Sequence, residues 1–359
     1  MQDRMTPKER MAAFSKGQEI DRIPCMPQMG VTMAPAVGVP SHMYYTSGEK
    51  MAEAEIALFH KIKPDSAGIG TSLRGIAEAM GSKIAYPENG IPYLLEPVLK
   101  NINDADNLSP ADPYKDGKLP LFLKALRIVK KEIGHLVDVG SDIPAPLSAA
   151  AMVIGTENLL KAMIKNPQKV HTLLEVVTET NLRVIGAFAE IGVDLGMSDP
   201  VASTSLISVK QFREFAMPYQ KMCVDKMREL TGNGTSIHMC GKSRDIWEPL
   251  METGITSFSI DNCEDLEEAK RIIGNRVCLA GNVKPVDTMR NGTIDEIRSE
   301  ARECIRKAYD SPKGFVLSTG CQIPLGTPIE NVIAFMDAAR DFGAYPINPE
   351  RLQVSYGQD

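Results

Sequence analysis

Residues 235–282 read TSIHMCGKSRDIWEPLMETGITSFSIDNCEDLEEAKRIIGNRVCLAGN and contain three short β-type runs, at 235–240, 257–261 and 277–282. The stretches between these runs favour helix. From residue 195 onward, strand and helix alternate in this way at about 20 to 40 residues per unit. Such alternation is typical of parallel strands joined by right-handed crossovers. We therefore expect an α/β protein with a parallel sheet.

Five more β-type runs extend the pattern toward both ends of the chain, at 23–28, 66–70, 136–141, 195–199 and 315–320. Amphipathic segments lie between them, with apolar residues three and four positions apart, as a helix buried on one face requires. Eight strand–helix units predict a (β/α)8 TIM barrel. A doubly wound open sheet is the alternative.

The segments outside these units are predicted to be a helix and a loop added to a single barrel. Thr6-Pro7-Lys8-Glu9 has the pattern of a capping box with proline at the first helical position, so we expect an N-terminal helix within 1–20 that ends at Gly17. The turn-rich stretch 101–120 predicts a surface excursion. We expect residues 1–359 to form a single barrel domain.

Composition narrows the classes of partner. The 359 residues include 40 Lys and Arg against 46 Asp and Glu, a net charge of −6 without a basic run, which does not favour binding to nucleic acid or anionic lipid. No apolar stretch approaches the ~18 residues of a membrane span, so we expect a cytoplasmic protein with no membrane association. Its seven scattered cysteines should then be reduced and available as metal ligands or nucleophiles.

The ends of the predicted strands carry most of the polar side chains of interest, because loops at the carboxyl end of a parallel barrel enclose the active site. The candidate residues are Asp199, His238, Cys240, Asp261, Asn282 and Cys321. We regard Asp199, Asp261 and Asn282 as candidate catalytic residues. The other three are candidate metal ligands.

His238 and Cys240 lie two residues apart on a strand, so their side chains point to the same face and can reach one ion. Cys321 ends the eighth strand, which a barrel brings close to the others. Two thiolates and an imidazole suit Zn²⁺, and three protein ligands leave a fourth position open, as in catalytic zinc sites. The alternatives are three core residues, or a zinc-stabilised binding protein, which would need a fourth firm ligand.

Several motifs together resemble the uroporphyrinogen decarboxylase superfamily, in its zinc-dependent corrinoid methyltransferase branch. They are His-x-Cys-Gly at 238–241, SFSID at 257–261, LAGN at 279–282, Gly-Cys at 320–321 followed by TPIENV, TPKERMAAFSKGQEIDRIP at 6–24 and SLISVKQFREFAMPYQKM at 205–222. His-x-Cys with a distant cysteine is the mark of the methyltransferase branch. A tetrapyrrole decarboxylase needs arginines near its N-terminus, and PCMPQMGVTMAP (24–35) contains none. It also needs a Ser-Asp pair at the position where this chain has GIGTS (68–72). Both differences argue against a decarboxylase-like lyase.

The resemblance implies methyl transfer between the cobalt of a corrinoid and a small second substrate. With a thiol such as coenzyme M, zinc would bind the thiolate; in the alternative, an O-demethylase, a methoxylated compound would give its methyl group to cobalt(I). The chain has no Asp-x-His-x-x-Gly, the family's signature of a built-in corrinoid module, so a partner protein is expected to supply the corrinoid through a transient complex. In the coenzyme M enzymes a glutamate can occupy the fourth zinc position, and Asp261 is the matching residue. A barrel lyase acting on thiols or sugars remains if the three ligands do not converge.

Overall fold

The computed structural model describes residues 3–88 and 90–353. The strands are β1 (Cys25–Met26), β2 (Ala67–Gly68), β3 (Lys83–Ala85), β4 (Tyr93–Glu96), β5 (Val139–Pro144), β6 (Asp194–Ser198), β7 (Ser236–Met239), β8 (Ser257–Ile260), β9 (Cys278–Val283) and β10 (Phe315–Thr319). Eight of them form a parallel sheet in the order β1-β10-β9-β8-β7-β6-β5-β2. All eight match strands predicted from the sequence.

The two end strands of this sheet meet. The backbone N–H of Asp65, just before β2, donates a hydrogen bond of 3.0 Å to the carbonyl oxygen of Cys25 on β1. The order also follows the chain around the sheet without the reversal that a doubly wound sheet requires. The (β/α)8 TIM barrel is therefore confirmed, and the open-sheet alternative is wrong.

Helices surround the strands. They are α1 (Pro7–Ser15), α2 (Ser41–Tyr44), α3 (Gly48–Ile62), α4 (Gly75–Ala79), α5 (Leu119–Ile133), α6 (Pro146–Ile154), α7 (Thr156–Lys165), α8 (Pro167–Ala189), α9 (Val209–Gln211), α10 (Met217–Thr231), α11 (Trp247–Met251), α12 (Leu266–Ile273), α13 (Ile294–Ala308), α14 (Ile329–Phe342) and α15 (Pro349–Leu352). Single-turn 3-10 and π segments adjoin several of these helices. Helices α1, α9 and α13 each begin with a capping box.

Helix α1 is held beneath the amino ends of the first two barrel strands. Its Arg10 side chain is fully buried and donates to the carboxylates of Asp21, at 2.7 Å, and Asp65, at 2.5 Å. Arg22 donates to Asp65 at 2.6 Å. Buried charges are tolerated when they are paired and hydrogen-bonded in this way. The extra N-terminal helix therefore leaves the carboxyl end of the barrel open.

The connection between β2 and β5 contains an antiparallel hairpin, β3 and β4, that the sequence analysis did not predict. Its strands are short, and Tyr93 and Leu95 on β4 are exposed, so the burial pattern that marks a barrel strand is missing. The segment 101–120 contains a 3-10 helix, Ile102–Asn107, and ends at the start of α5.

Alternation along β7 separates apolar side chains on its outer face from a polar side chain in the barrel interior. On β7, Ile237 and Met239 are fully buried, whereas His238 between them is half-buried. The register places Ser198 on β6 and Ser259 on β8 beside His238. One row of polar side chains thus crosses three neighbouring strands.

Within the described ranges, no single helix has both the length and the apolar character to cross a membrane. Helices α6 and α7 meet that criterion only as a pair, and they are bent by 106° relative to each other.

Candidate metal centre

Three predicted ligands converge at the carboxyl end of the barrel. His238 lies on β7, Cys240 is the first residue after that strand, and Cys321 is the second residue after β10. The Nε2 atom of His238 is 3.0 Å from the Sγ of Cys240, which is 3.1 Å from the Sγ of Cys321. In the described part of the chain, these three form the one group of His, Cys or acidic side chains whose ligand atoms all lie within 4.8 Å of one another.

The imidazole of His238 is held by its neighbours on the barrel interior. Its Nδ1 lies 2.9 Å from the hydroxyl of Ser259, and that hydroxyl accepts a 3.0 Å hydrogen bond from the amide of Gln28. Because a hydrogen bond at Nδ1 fixes the orientation of the ring, Nε2 is left directed at the two thiols.

The two thiols differ in pKa because they are hydrogen-bonded to each other. Their mutual hydrogen bond lowers the pKa of Cys321 and raises the pKa of Cys240. Burial alone would lower the pKa of His238, but its hydrogen bond to Cys321 and the nearby negative charges outweigh burial and raise it. One thiolate is therefore stabilised, and the site has the electron-rich character that attracts a soft cation.

The donor set fits zinc. Tetrahedral zinc with bonds of about 2.3 Å to sulfur and about 2.0 Å to nitrogen separates its ligand atoms by roughly 3.5 to 3.8 Å. The Nε2–Sγ pair of His238 and Cys240 and the Sγ–Sγ pair of the two cysteines would need to move apart by only about 0.5 to 0.7 Å. The three side chains are half-buried, so a fourth position can face the barrel opening.

A tight turn after β7 positions Cys240. Gly241 has a φ of +81°, and a Cβ there would lie 2.7 Å from the hydroxyl oxygen of Ser205, so both the conformation and the space favour glycine. The N–H of Gly241 donates to Asp261 at 2.9 Å, and the N–H of Cys263 donates to the other oxygen of this carboxylate at 2.8 Å. Asp261 therefore joins the loops after β7 and β8. Its carboxylate lies outside the group of three ligands.

The other two candidate catalytic residues lie away from the ligand atoms. The carboxylate of Asp199 is fully buried between α6 and α10, where it accepts from the hydroxyl of Ser148 at 2.5 Å and the amide of Gln220 at 2.7 Å. Burial raises the pKa of Asp199 to about 6.

Asn282 supports the loop after β8. Its amide donates to the carbonyl oxygens of Asp261 at 3.0 Å and Glu264 at 2.8 Å. These contacts hold the backbone of Asp261 in place. The Asn282 side chain is almost completely buried.

The sequence analysis missed Ser259, Gln28 and Asp142. Asp142 on β5 accepts a hydrogen bond from Ser198, and burial raises its pKa to about 6. A signal for Ser259 was present: it lies two residues before Asp261 in SFSID, so period-two alternation puts both on one face. The register between strands that brings Gln28 to Ser259 has no such signal.

Comparisons with known proteins show the family and support the fold. Residues 6–342 match the uroporphyrinogen decarboxylase (URO-D) family. The chain is 30% identical to a methylcobamide:CoM methyltransferase, MtaA, of Methanosarcina barkeri over 94% of this chain and 98% of that protein. It is 27% identical to a uroporphyrinogen decarboxylase of Trichodesmium erythraeum over 92% and 95%. A solved structure of a methyltransferase from Methanosarcina mazei superposes with a TM-score of 0.84 at 28% identity, covering 94% of this chain and 98% of that one.

Proposed function

We propose that this chain, a member of the uroporphyrinogen decarboxylase family, is a zinc-dependent methyltransferase, because three of its side chains could together hold a zinc ion. It moves a methyl group between the corrinoid of a partner protein and a small thiol. The observation that carries the proposal is the convergence of His238, Cys240 and Cys321 at the open end of the barrel. The names of two relatives, methylcobamide:CoM methyltransferases, support the corrinoid as methyl donor.

In this proposal the chain's own residues hold the metal and keep it accessible. His238, Cys240 and Cys321 supply three ligands, Ser259 orients the imidazole, and the turn at Gly241 fixes Cys240. Bound zinc would supply Lewis acidity that lowers the pKa of a substrate thiol, so that the thiol reacts as its thiolate at neutral pH.

With a methylated corrinoid as the co-substrate, methyl transfer would be a displacement at the methyl carbon. The thiolate sulfur would form the new bond to that carbon, and the carbon–cobalt bond would break with its electron pair left on cobalt, which would go from cobalt(III) to cobalt(I). Helices cover the outer wall of the barrel, so the corrinoid must reach the site through the open carboxyl end of the barrel. A partner that delivers the corrinoid and leaves is consistent with a site at the barrel opening. We place the reaction in the cytoplasm.

Turnover with defined substrates tests the proposal. The zinc-loaded chain is mixed with methylcobalamin and 2-mercaptoethanol, and formation of cob(I)alamin is followed by absorbance under anaerobic conditions. We expect turnover that Cys240→Ser abolishes and that Cys278→Ser retains, because Cys278 is similarly half-buried but lies at the start of β9, outside the ligand group.

Substrate binding distinguishes the thiol from a methoxylated compound. A thiol should release one proton on binding and add a sulfur neighbour to the zinc in X-ray absorption spectra. A methoxyarene should do neither. Demethylation of a methoxyarene by cob(I)alamin, with no response to any thiol, would replace the thiol methyltransferase with an O-demethylase.

A further inference from the structure

Arg74 has an unpartnered guanidinium close to the open end of the barrel. It lies in the loop that follows β2, at the same end of the barrel as the metal centre. The side chain is half-buried and its Nε is fully buried without a hydrogen-bond partner. No carboxylate of residues 3–88 or 90–353 pairs with it.

Arg74 shares this condition with one other arginine of the described ranges that is not exposed. The Nε of Arg302 is also buried without a hydrogen-bond partner, but its guanidinium lies over the ring of Phe342 at 5.5 Å. The remaining arginines that are not exposed each have a carboxylate partner. Burial lowers the pKa of Arg74, and the hydroxyls of Tyr45 and Tyr86 are the acidic groups that act against this. A guanidinium removed from water is stabilised by an anion that accepts its planar array of N–H groups.

The loop itself is held in a strained conformation. Ser72 has a φ of +58°, in the left-handed region that residues other than glycine rarely adopt. Its hydroxyl accepts a 3.2 Å hydrogen bond from the backbone N–H of Arg74, and its neighbour Thr71 is tied to β5 by a 2.9 Å bond to the carbonyl oxygen of Asp142. Strained residues of this kind often position functional groups.

The order of the barrel sets the span between this loop and the metal centre. Going around the barrel, β10 is followed by β1 and then β2, so the loop of Arg74 lies two strands from the loop of Cys321. Two spacings between strands amount to about 10 Å. An arginine side chain and a substrate with a spacer of two or three carbons can together cover that distance.

We propose that Arg74 binds an oxyanion and thereby determines specificity. It pairs with a sulfonate or carboxylate at the far end of the second substrate, while the reacting group of that substrate lies at the metal centre. The inference deepens the proposed function and rests on it for the identity of the reacting group.

The test compares thiols of similar length and different charge. With methylcobalamin as donor, KM is measured for 2-mercaptoethanesulfonate, 3-mercaptopropionate and 2-mercaptoethanol in the wild type, Arg74→Gln, Arg74→Lys and Arg127→Gln. Arg127 is an exposed arginine on α5 and serves as the matched control. Arg74→Gln should raise KM for the two anionic thiols at least about tenfold and leave that for 2-mercaptoethanol within about twofold. Arg74→Lys should recover part of the loss.

The wild-type KM values identify which oxyanion is preferred, since the sulfonate and carboxylate thiols differ only in that group and in size. An equal change for all three thiols would overturn the inference. So would a change confined to the KM of an added corrinoid protein, because Arg74 would then contact the partner.

A binding experiment separates this inference from the proposed function. Ethanesulfonate and propionate lack a thiol, so calorimetry can measure their binding without methyl transfer. If no thiol turns over, the proposed function fails. The proposed anion site is then supported if ethanesulfonate or propionate binds the wild type and its binding weakens at least about tenfold in Arg74→Gln. The site is contradicted if neither anion binds, or if the wild type and Arg74→Gln bind the anion equally.

Discussion

The Nδ1 of His238 lies 2.9 Å from the hydroxyl of Ser259 on the neighbouring strand. The two residues are direct partners in the register between β7 and β8. Ser259 therefore orients the imidazole through the geometry of the sheet, and the hydrogen bond from Gln28 fixes the hydroxyl in turn. This relationship makes Ser259 the first residue to test beyond the proposed ligands.

Replacing Ser259 with alanine should weaken zinc binding by about 10- to 100-fold, because the imidazole loses the partner that fixes its orientation. Zinc affinity is measured by competition with a chromophoric chelator. Ser257→Ala is the control, since Ser257 is half-buried two residues earlier on the same strand and lies opposite Ser236 rather than His238. Equal affinities in the wild type and Ser259→Ala would show that the ring is held by packing alone.

The purified protein should contain about one zinc per chain, and Cys240→Ser and Cys321→Ser should each lose most of it. Helical content should persist in both variants, because the metal centre lies at the barrel opening and outside the packed layer of helices. Elemental analysis and circular dichroism provide the measurements, with Cys278→Ser as the control. Full zinc content in both ligand variants would remove the basis of the proposed mechanism.

Asp261→Ala should retain about one zinc per chain, because its carboxylate lies outside the group of three ligands. The N–H groups of Gly241 and Cys263 would lose their acceptor, so the loops after β7 and β8 should shift. We expect KM for the thiol to rise about three- to tenfold. Asp261→Asn, which keeps one acceptor oxygen, should have a smaller effect. Loss of zinc in Asp261→Ala would instead identify Asp261 as a fourth ligand.

Glu55 on α3 should make stability depend on pH. Burial raises its pKa from 4.5 to about 7, and its carboxyl accepts a 2.8 Å hydrogen bond from Tyr44. A raised pKa in the folded state favours folding most below pH 4.5, and this contribution is lost as the pH rises through 7. The free energy of unfolding should therefore fall by about 3 kcal/mol more between pH 4.5 and pH 8 in the wild type than in Glu55→Gln.

Urea denaturation at several pH values measures this difference, with Glu53→Gln as the control because Glu53 is exposed on the same helix. The control should follow the wild type. If Glu55→Gln and the wild type show the same pH dependence, the carboxyl of Glu55 must be solvated in the folded protein.

The isolated chain should carry no corrinoid, because it lacks the Asp-x-His-x-x-Gly signature and a partner is proposed to deliver that group. Absorbance spectra after gel filtration check this directly. Methyl transfer should then depend on added corrinoid protein or free cobalamin. A cobalamin spectrum that stays with the chain through gel filtration would contradict this prediction.

Much of the fold and part of the site were predictable because they depend on local patterns. The eight barrel strands, the capping box at Thr6 and the family resemblance follow from periodicity and short motifs, and each is confirmed. The hairpin of β3 and β4 was missed because its short, exposed strands lack the alternation of a buried strand.

Asp199 shows why a position at the end of a strand does not by itself identify a residue of the site. Its neighbour Ser198 faces the barrel interior and donates to Asp142, so alternation directs Asp199 outward, between α6 and α10. His238 and Cys240, two residues apart, share one face and meet. The direction of each side chain depends on where its strand begins and how it pairs.

The sequence by itself determined the chemistry available: two thiols, an imidazole and their spacing, in a chain whose periodicity specifies a parallel barrel. Only the tertiary structure decided which groups meet. Cys321 lies 81 residues beyond Cys240, yet barrel closure brings their sulfur atoms to 3.1 Å. It also left Arg74 without a carboxylate partner. The physical reason is that periodicity is a local property of the chain, whereas register, closure and burial arise from packing between distant segments.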